Sequence, residues 1–150
     1  MKLEFKWSRL QSLTAIELYQ IIKAREAVFV VEQHCPYQET DELDLHAWHI
    51  SALVNGELAA YARVIEPGIK SSQPSIGRVM TVKKFRAQGI GRALMEEAIK
   101  FTEINFPGNG IKISAQVYLQ KFYRSLGFHA SDEPYDEDGI SHIEMIKLAI

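Results

Sequence analysis

"RAQGIGRALM", Arg86 to Met95, is the stretch whose reading decides the fold. Two glycines, Gly89 and Gly91, stand one residue apart between a strand-like run and a run with helical spacing. The backbone N–H groups at the start of a helix converge on one spot, and the helix dipole favours an anion there. Glycine lets a ligand approach the backbone with no Cβ in the way. From Lys83 to Arg92 there are four cations, Lys83, Lys84, Arg86 and Arg92, and no acid. The stretch therefore reads as a phosphate-holding loop; the competing reading is a capped helix with a solvated basic edge.

Two common phosphate loops are excluded by residue type. A P-loop requires Lys-Ser or Lys-Thr after its second glycine, and none follows here. A dinucleotide fingerprint requires a third glycine or alanine. Leu94 stands there instead, and the motif comes late in the chain, after three apparent antiparallel strands.

Working outward, "LEFKW" (3–7) alternates as a strand does. Thr14 and Glu17 form a capping-box pattern. Leu18, Ile21, Ile22, Arg25, Val28 and Phe29 then recur at helical spacing, which predicts one amphipathic helix from Thr14 to about Val31. "EQHCPYQETDELDLH" (32–46) has no period and reads as a long loop. "AWHISALV" and "ELAAYARVI", joined by Asn55-Gly56, form a hairpin signature. A strand at 75–82 precedes the glycine loop. The following helix places Ile90, Leu94, Ala98 and Phe101 on one face until Pro107 and Gly108 end it. A strand "IKISAQ", a helix stopped by Gly127 and a final strand around His142 to Leu148 complete the chain. Antiparallel strands first and β-α-β units second imply a mixed sheet with helices on both faces, of the α/β (α+β) class.

The 150 residues suit one domain, with no linker or repeat. A net charge of -2 argues against a nucleic-acid or anionic-membrane partner. A single cysteine, Cys35, excludes an internal disulfide and suggests a reducing, cytoplasmic setting. The N-terminus lacks a signal-peptide pattern, and no apolar run reaches the roughly 20 residues of a membrane span. Nothing sets the oligomeric state, and a homodimer is compatible with the sequence.

"VKKFRAQGIGRALM" resembles the acetyl-CoA loop of the GNAT N-acetyltransferase superfamily. "LQKFYRSLGF", Leu119 to Phe128, resembles the C-terminal signature of the same superfamily. "LYQIIKAREAVFVVEQHCPYQETDELD", "AYARV", "IGRV", "SAQVYLQKFY" and "YDEDGISHIEM" extend the likeness to its ElaA-like branch, over about Leu18 to Lys147. The resemblance implies one GNAT domain over 1–150 with a mixed, mostly antiparallel, V-shaped sheet.

It also implies acetyl-CoA as co-substrate, no metal, and direct attack by a primary amine, small-molecule or protein, in a ternary complex. The alternative is a non-catalytic acyl-CoA sensor or regulatory module. The implied coenzyme contacts are Met80, Thr81 and Val82 on the strand, with pantetheine paired to the backbone of Met80 and Val82. Arg86, Ala87, Gln88, Gly89, Ile90, Gly91 and Arg92 form the loop. Gln116 stands where the superfamily often has Asn, and Leu119 where Ala is common, so the reach toward the coenzyme differs.

By the same resemblance Tyr123 is the acid for the departing thiolate; a phenol of pKa near ~10 carries its proton at neutral pH. For the general base, Glu32 leads, with His34, His49, His142 or a water relay as alternatives. "ETDELD" and "DEPYDED" carry four and five acids and would favour a cationic amine if they flank the acceptor mouth, or else are simply solvated. Arg63 and Arg78, in predicted strands, either pair internally or receive a substrate carboxylate. His34, Cys35, His46 and His49 are poorly spaced for zinc.

Overall fold

The computed structural model describes residues 2–149. β1 (Leu3–Arg9) leads through one 3-10 turn into α1 (Ala15–Arg25). The capping box forms: Glu17 N donates to Thr14 Oγ1 at 3.1 Å, and Thr14 N to Glu17 Oε1 at 2.8 Å. The predicted single helix changes character at its end. Residues Glu26–Glu32 continue it as a π-helix. This segment buries Val28 and Phe29 against Tyr61 and Met80.

After a polar loop and a short 3-10 segment come β2 (Ala47–Val54) and β3 (Glu57–Ile65). Their turn is the Asn55-Gly56 pair, with φ of 50° and 84°, as a tight primed hairpin turn requires. β4 (Ser75–Thr81) follows, then α2 (Ile90–Asn105), β5 (Ile111–Gln116) and α3 (Gln120–Ser125). The last strands are β6 (His129–Ala130), β7 (Tyr135–Glu137) and β8 (Ile140–Lys147). β6 and β7 are absent from the sequence reading because two and three residues carry no periodicity.

The eight strands form one mixed sheet in the order β1-β2-β3-β4-β5-β8-β6, with β7 paired to β8. α2 buries Ile90, Leu94, Met95, Ala98 and Ile99 against Ala60, Ala62 and Val64 on one face of β3. Phe101, on the same helix, stacks on Trp7 with ring centroids 3.9 Å apart. Tyr61 and Met80 face the other way, toward Ile21, Val28 and Phe29. Strand alternation thus places α1 and its π extension on the face opposite α2. The small alanines of β3 let both layers approach closely.

Two irregularities open the sheet. β4 and β5 are parallel and pair only at Ser75↔Lys112, then part. On the other side of β4, Arg63 faces Gly77 and Tyr61 faces Met80, so Arg78 and Val79 stand where β3 supplies only Ala62. Arg78 takes a left-handed φ of 51° in this bulge. The bulge bends β4 away from β5 and gives the sheet its V shape.

Candidate active site

The opening of the V is a cleft of about 810 Å³. Its walls come from β4, β5, β8, the π segment, the β7–β8 hairpin and the start of α3. Of the residues singled out from sequence, Glu32, Met80, Thr81, Arg86, Gly91, Gln116, Tyr123 and His142 all line it. Val82, Ala87, Gln88, Gly89, Ile90 and Arg92 do not; they build the loop and helix start beside it. The Ile90 side chain is buried in the core, leaving only its backbone for a ligand.

At the glycine loop, Gly89 caps α2 in a left-handed conformation, φ 77°, with no side chain capping the helix. The N–H groups of Ile90, Gly91 and Arg92 precede the first intrahelical donor, Ala93, so they are orphan donors open to an anion. A Cβ on Gly91 would lie 3.0 Å from Thr81 Oγ1, so glycine is what lets the helix start sit against β4. The guanidinium of Arg86 folds back, donating to Thr81 O at 3.0 Å and to Glu32 Oε1 at 2.7 Å. Arg92 donates to Ser125 Oγ of α3 at 2.9 Å.

The backbone of β4 requires one correction. Val82 N donates to Ala59 O at 2.8 Å, so it cannot also pair a pantetheine. Met80 lies opposite Tyr61 in the same register, and alternation points its backbone toward β3 as well. The backbone groups that face the cleft are those of Val79 and Thr81. Past Ser75 that edge has no strand partner. The sequence lacked the signal to place this register, because a bulge shifts it by one residue.

Tyr123 is buried, with its ring edge-on to Phe122 and Phe128. Burial pushes its phenol up to about 12. Among the described residues its hydroxyl has no hydrogen-bond partner. Gln116 lies on the opposite strand, its backbone in register with His142.

Beside the cleft lies a buried ionic cluster that answers the question left by Arg63 and Arg78. Arg25 Nη1 and Nη2 donate to Asp44 Oδ1 and Oδ2 at 2.8 and 3.1 Å, and Arg25 Nε to Glu39 Oε2 at 2.6 Å. Arg63 Nη1 reaches Asp41 at 2.7 Å and Asp44 at 2.9 Å. Arg78 Nη2 donates to Glu39 O at 3.1 Å, and its Nε lies against Glu39 Oε1. The arginines pair internally. Three of the four acids of "ETDELD" are paired with these arginines, and none of the three lines the cleft. Burial alone would raise the Asp44 carboxyl, but the Arg25 hydrogen bonds and charge hold it at about 2.

His49 belongs to the same cluster. Its Nε2–H donates to Asp44 O at 3.0 Å, which makes Nδ1 the acceptor of the Tyr61 hydroxyl at 2.5 Å. Burial lowers its pKa and keeps it neutral. Both nitrogens are engaged, so His49 is structural and not a base. Cys35 is buried, its thiol against Gln33 O and Asp138 O at 3.3 and 3.2 Å. Among the described residues no three His, Cys, Asp or Glu side chains gather as a metal site.

The comparisons agree with this geometry. The family model of the acetyltransferase (GNAT) domain matches residues 14–149. An acyl-CoA N-acyltransferase from Pseudomonas aeruginosa superposes with a TM-score of 0.92 at 41% identity, covering 97% of this chain and 99% of that one. ElaA of Escherichia coli is 39% identical over 140 residues, 92% of each chain, and its crystal structure gives a TM-score of 0.91. A UPF0039 protein of Schizosaccharomyces pombe is 42% identical over 145 residues, 95% of each chain. The chain belongs to the GNAT acetyltransferase family and is an acyltransferase of that type. Within the family it falls in the ElaA-like branch.

Proposed function

We propose that this acyltransferase moves an acetyl group from acetyl-CoA to a primary amine by direct attack in a ternary complex. The observation that carries the reading is the cleft itself. It joins an uncapped helix start, an unpaired strand edge and a buried phenol, within one concave space. The residues present fit coenzyme A. The orphan N–H groups at Ile90, Gly91 and Arg92 suit its pyrophosphate. The cleft-facing backbone of Val79 and Thr81 suits the amide-rich pantetheine arm, which adds to a free edge as a strand does. Gln116 offers a side-chain amide across the cleft. Tyr123 holds its proton through the neutral range and in this reading donates it to the departing thiolate.

Glu32 keeps a different role in this reading. Its carboxylate is tied to Arg86, so it orders the loop before α2 instead of taking a proton. Calorimetry with acetyl-CoA and CoA tests the donor half; absence of binding to either overturns it. Release of free thiol with a panel of primary amines (an alkyl monoamine, a polyamine, free lysine and a peptide N-terminus) tests the acceptor half. Tight binding with no acetylated product favours a non-catalytic sensor.

A further inference from the structure

The reaction needs a group that takes a proton from the acceptor ammonium, and among the histidines the structure leaves one in the cleft. Of the five histidines in the chain, only His142 lines the cleft. His34, His46 and His129 are exposed elsewhere, and both ring nitrogens of His49 are engaged. Glu32 is held by Arg86.

His142 is also oriented for the task. It sits on β8 with a side chain only 10% exposed. Its Nδ1 lies 2.8 Å from Ile140 O, and a carbonyl can only accept, so Nδ1 carries the hydrogen. In the neutral ring this leaves the lone pair on Nε2. The Glu137 carboxylate lies 3.3 Å from that same nitrogen, on the adjoining strand β7. Among the described residues Nε2 makes no hydrogen bond, so its lone pair is open to an incoming proton, and the nearby carboxylate stabilises the resulting imidazolium by charge. Tyr135 of β7 packs its ring along His142, with centroids 6.1 Å apart and planes 28° apart. The other charged or titratable groups sharing the cleft near these strands are Glu144 with its partner Lys112, Tyr118, Asp138 and Lys70.

We propose that His142 is the general base of the acyl transfer, taking the acceptor's proton on Nε2, with Ile140 O orienting the ring and Glu137 stabilising its charged form. The assignment rests on the acetyltransferase reading above. In the balanced step, the acceptor ammonium gives one proton to His142 and from there to water. The nitrogen then forms its bond to the acyl carbon as the C–S bond breaks. The second nitrogen proton leaves as the amide forms, and it replaces the proton that Tyr123 has given to the departing sulfur.

The experiment compares wild type, His142→Asn and Glu137→Gln against the amine panel, with CoA binding measured by calorimetry and folding by circular dichroism. His142→Asn is expected to lose on the order of 100-fold in kcat with CoA affinity unchanged. It is also expected to remove the limb that a general base contributes to the wild-type pH–rate profile, recorded in the same assay. Glu137→Gln, at a mostly exposed carboxylate, gives a smaller loss in a folded protein. A His142→Asn rate within twofold of wild type, or a reduced rate that keeps the same limb, overturns the assignment. If His142→Asn is unfolded, an unchanged rate and limb in Glu137→Gln overturn the pair. A wild type that binds CoA but acetylates no amine overturns this assignment and the catalytic reading together.

Discussion

Tyr123 keeps its proton because it is buried among aromatic rings, which destabilises a phenolate. In the proposed acid role, a raised pKa favours its reprotonation between turnovers. Tyr123→Phe removes the hydroxyl and leaves the packing against Phe122 and Phe128 intact. We expect kcat to fall by about 10- to 100-fold with the Kd for CoA within twofold. An unchanged kcat in a thiol-release assay would remove Tyr123 from the acid role. The tyrosine was legible in the sequence as part of a motif. Its environment was not, because burial depends on which residues the fold packs around it.

At the scale of the element, the start of α2 is built on two glycines with different jobs. Gly89 needs its left-handed φ, so any L side chain there is strained by about 1–2 kcal/mol. Its space is open, and a substitution at Gly89 therefore reports backbone strain together with binding. Gly91 has ordinary backbone angles but lies against Thr81. Gly91→Val is expected to keep α2 folded and to displace it from β4, weakening CoA binding by at least ~10-fold in calorimetry. Equal affinity for CoA would show that the helix start is not the anion site. The helix, the hairpin and the capping box were readable because each is encoded locally, by spacing of apolar residues and by turn chemistry. The π segment and the β4 bulge were not, since both arise where a regular element is forced to fit a neighbour.

Across the whole molecule, the Arg25–Asp44–Arg63 cluster ties α1, the loop after it and β3 into one body, and Arg78 extends it to the bulge of β4. The arginines hold the Asp44 carboxyl at about 2, below the ordinary aspartate value of 3.8, so the stabilisation it supplies is present above pH ~4. It is lost as pH falls from ~4 toward ~2. Asp44→Asn is expected to destabilise the fold by ~3–5 kcal/mol at neutral pH, because two buried guanidinium groups lose their shared partner. It should also flatten the acid limb of a thermal-melting series; a variant as acid-sensitive as wild type would place that limb elsewhere. We further propose that residues 1–150 behave as a single domain. Calorimetry is expected to show one unfolding transition, raised by several degrees at CoA concentrations ~100-fold above Kd. Two resolved transitions would refute the single domain.

By itself the sequence determined the family, the glycine loop at the start of α2 and the mixed α/β class. Those depend on short-range features: glycine spacing in "RAQGIGRALM", the aromatic pair Phe122-Tyr123, and the alternation of β2 and β3. The tertiary structure alone decided what the charged residues do. Glu39, Asp41 and Asp44 read as an acidic loop, yet all three are paired with arginines that come from three distant elements, and Glu39 and Asp44 are buried there. Val82 and Val79 look equivalent in the sequence, and only the bulge at Arg78 settles which backbone faces the cleft. His142 reads as one histidine among five until β8 sets it in the cleft beside Glu137. The physical reason is common to all three. Apolar periodicity is a property of one segment, whereas an ion pair, a register or a proton acceptor is a property of two segments brought together.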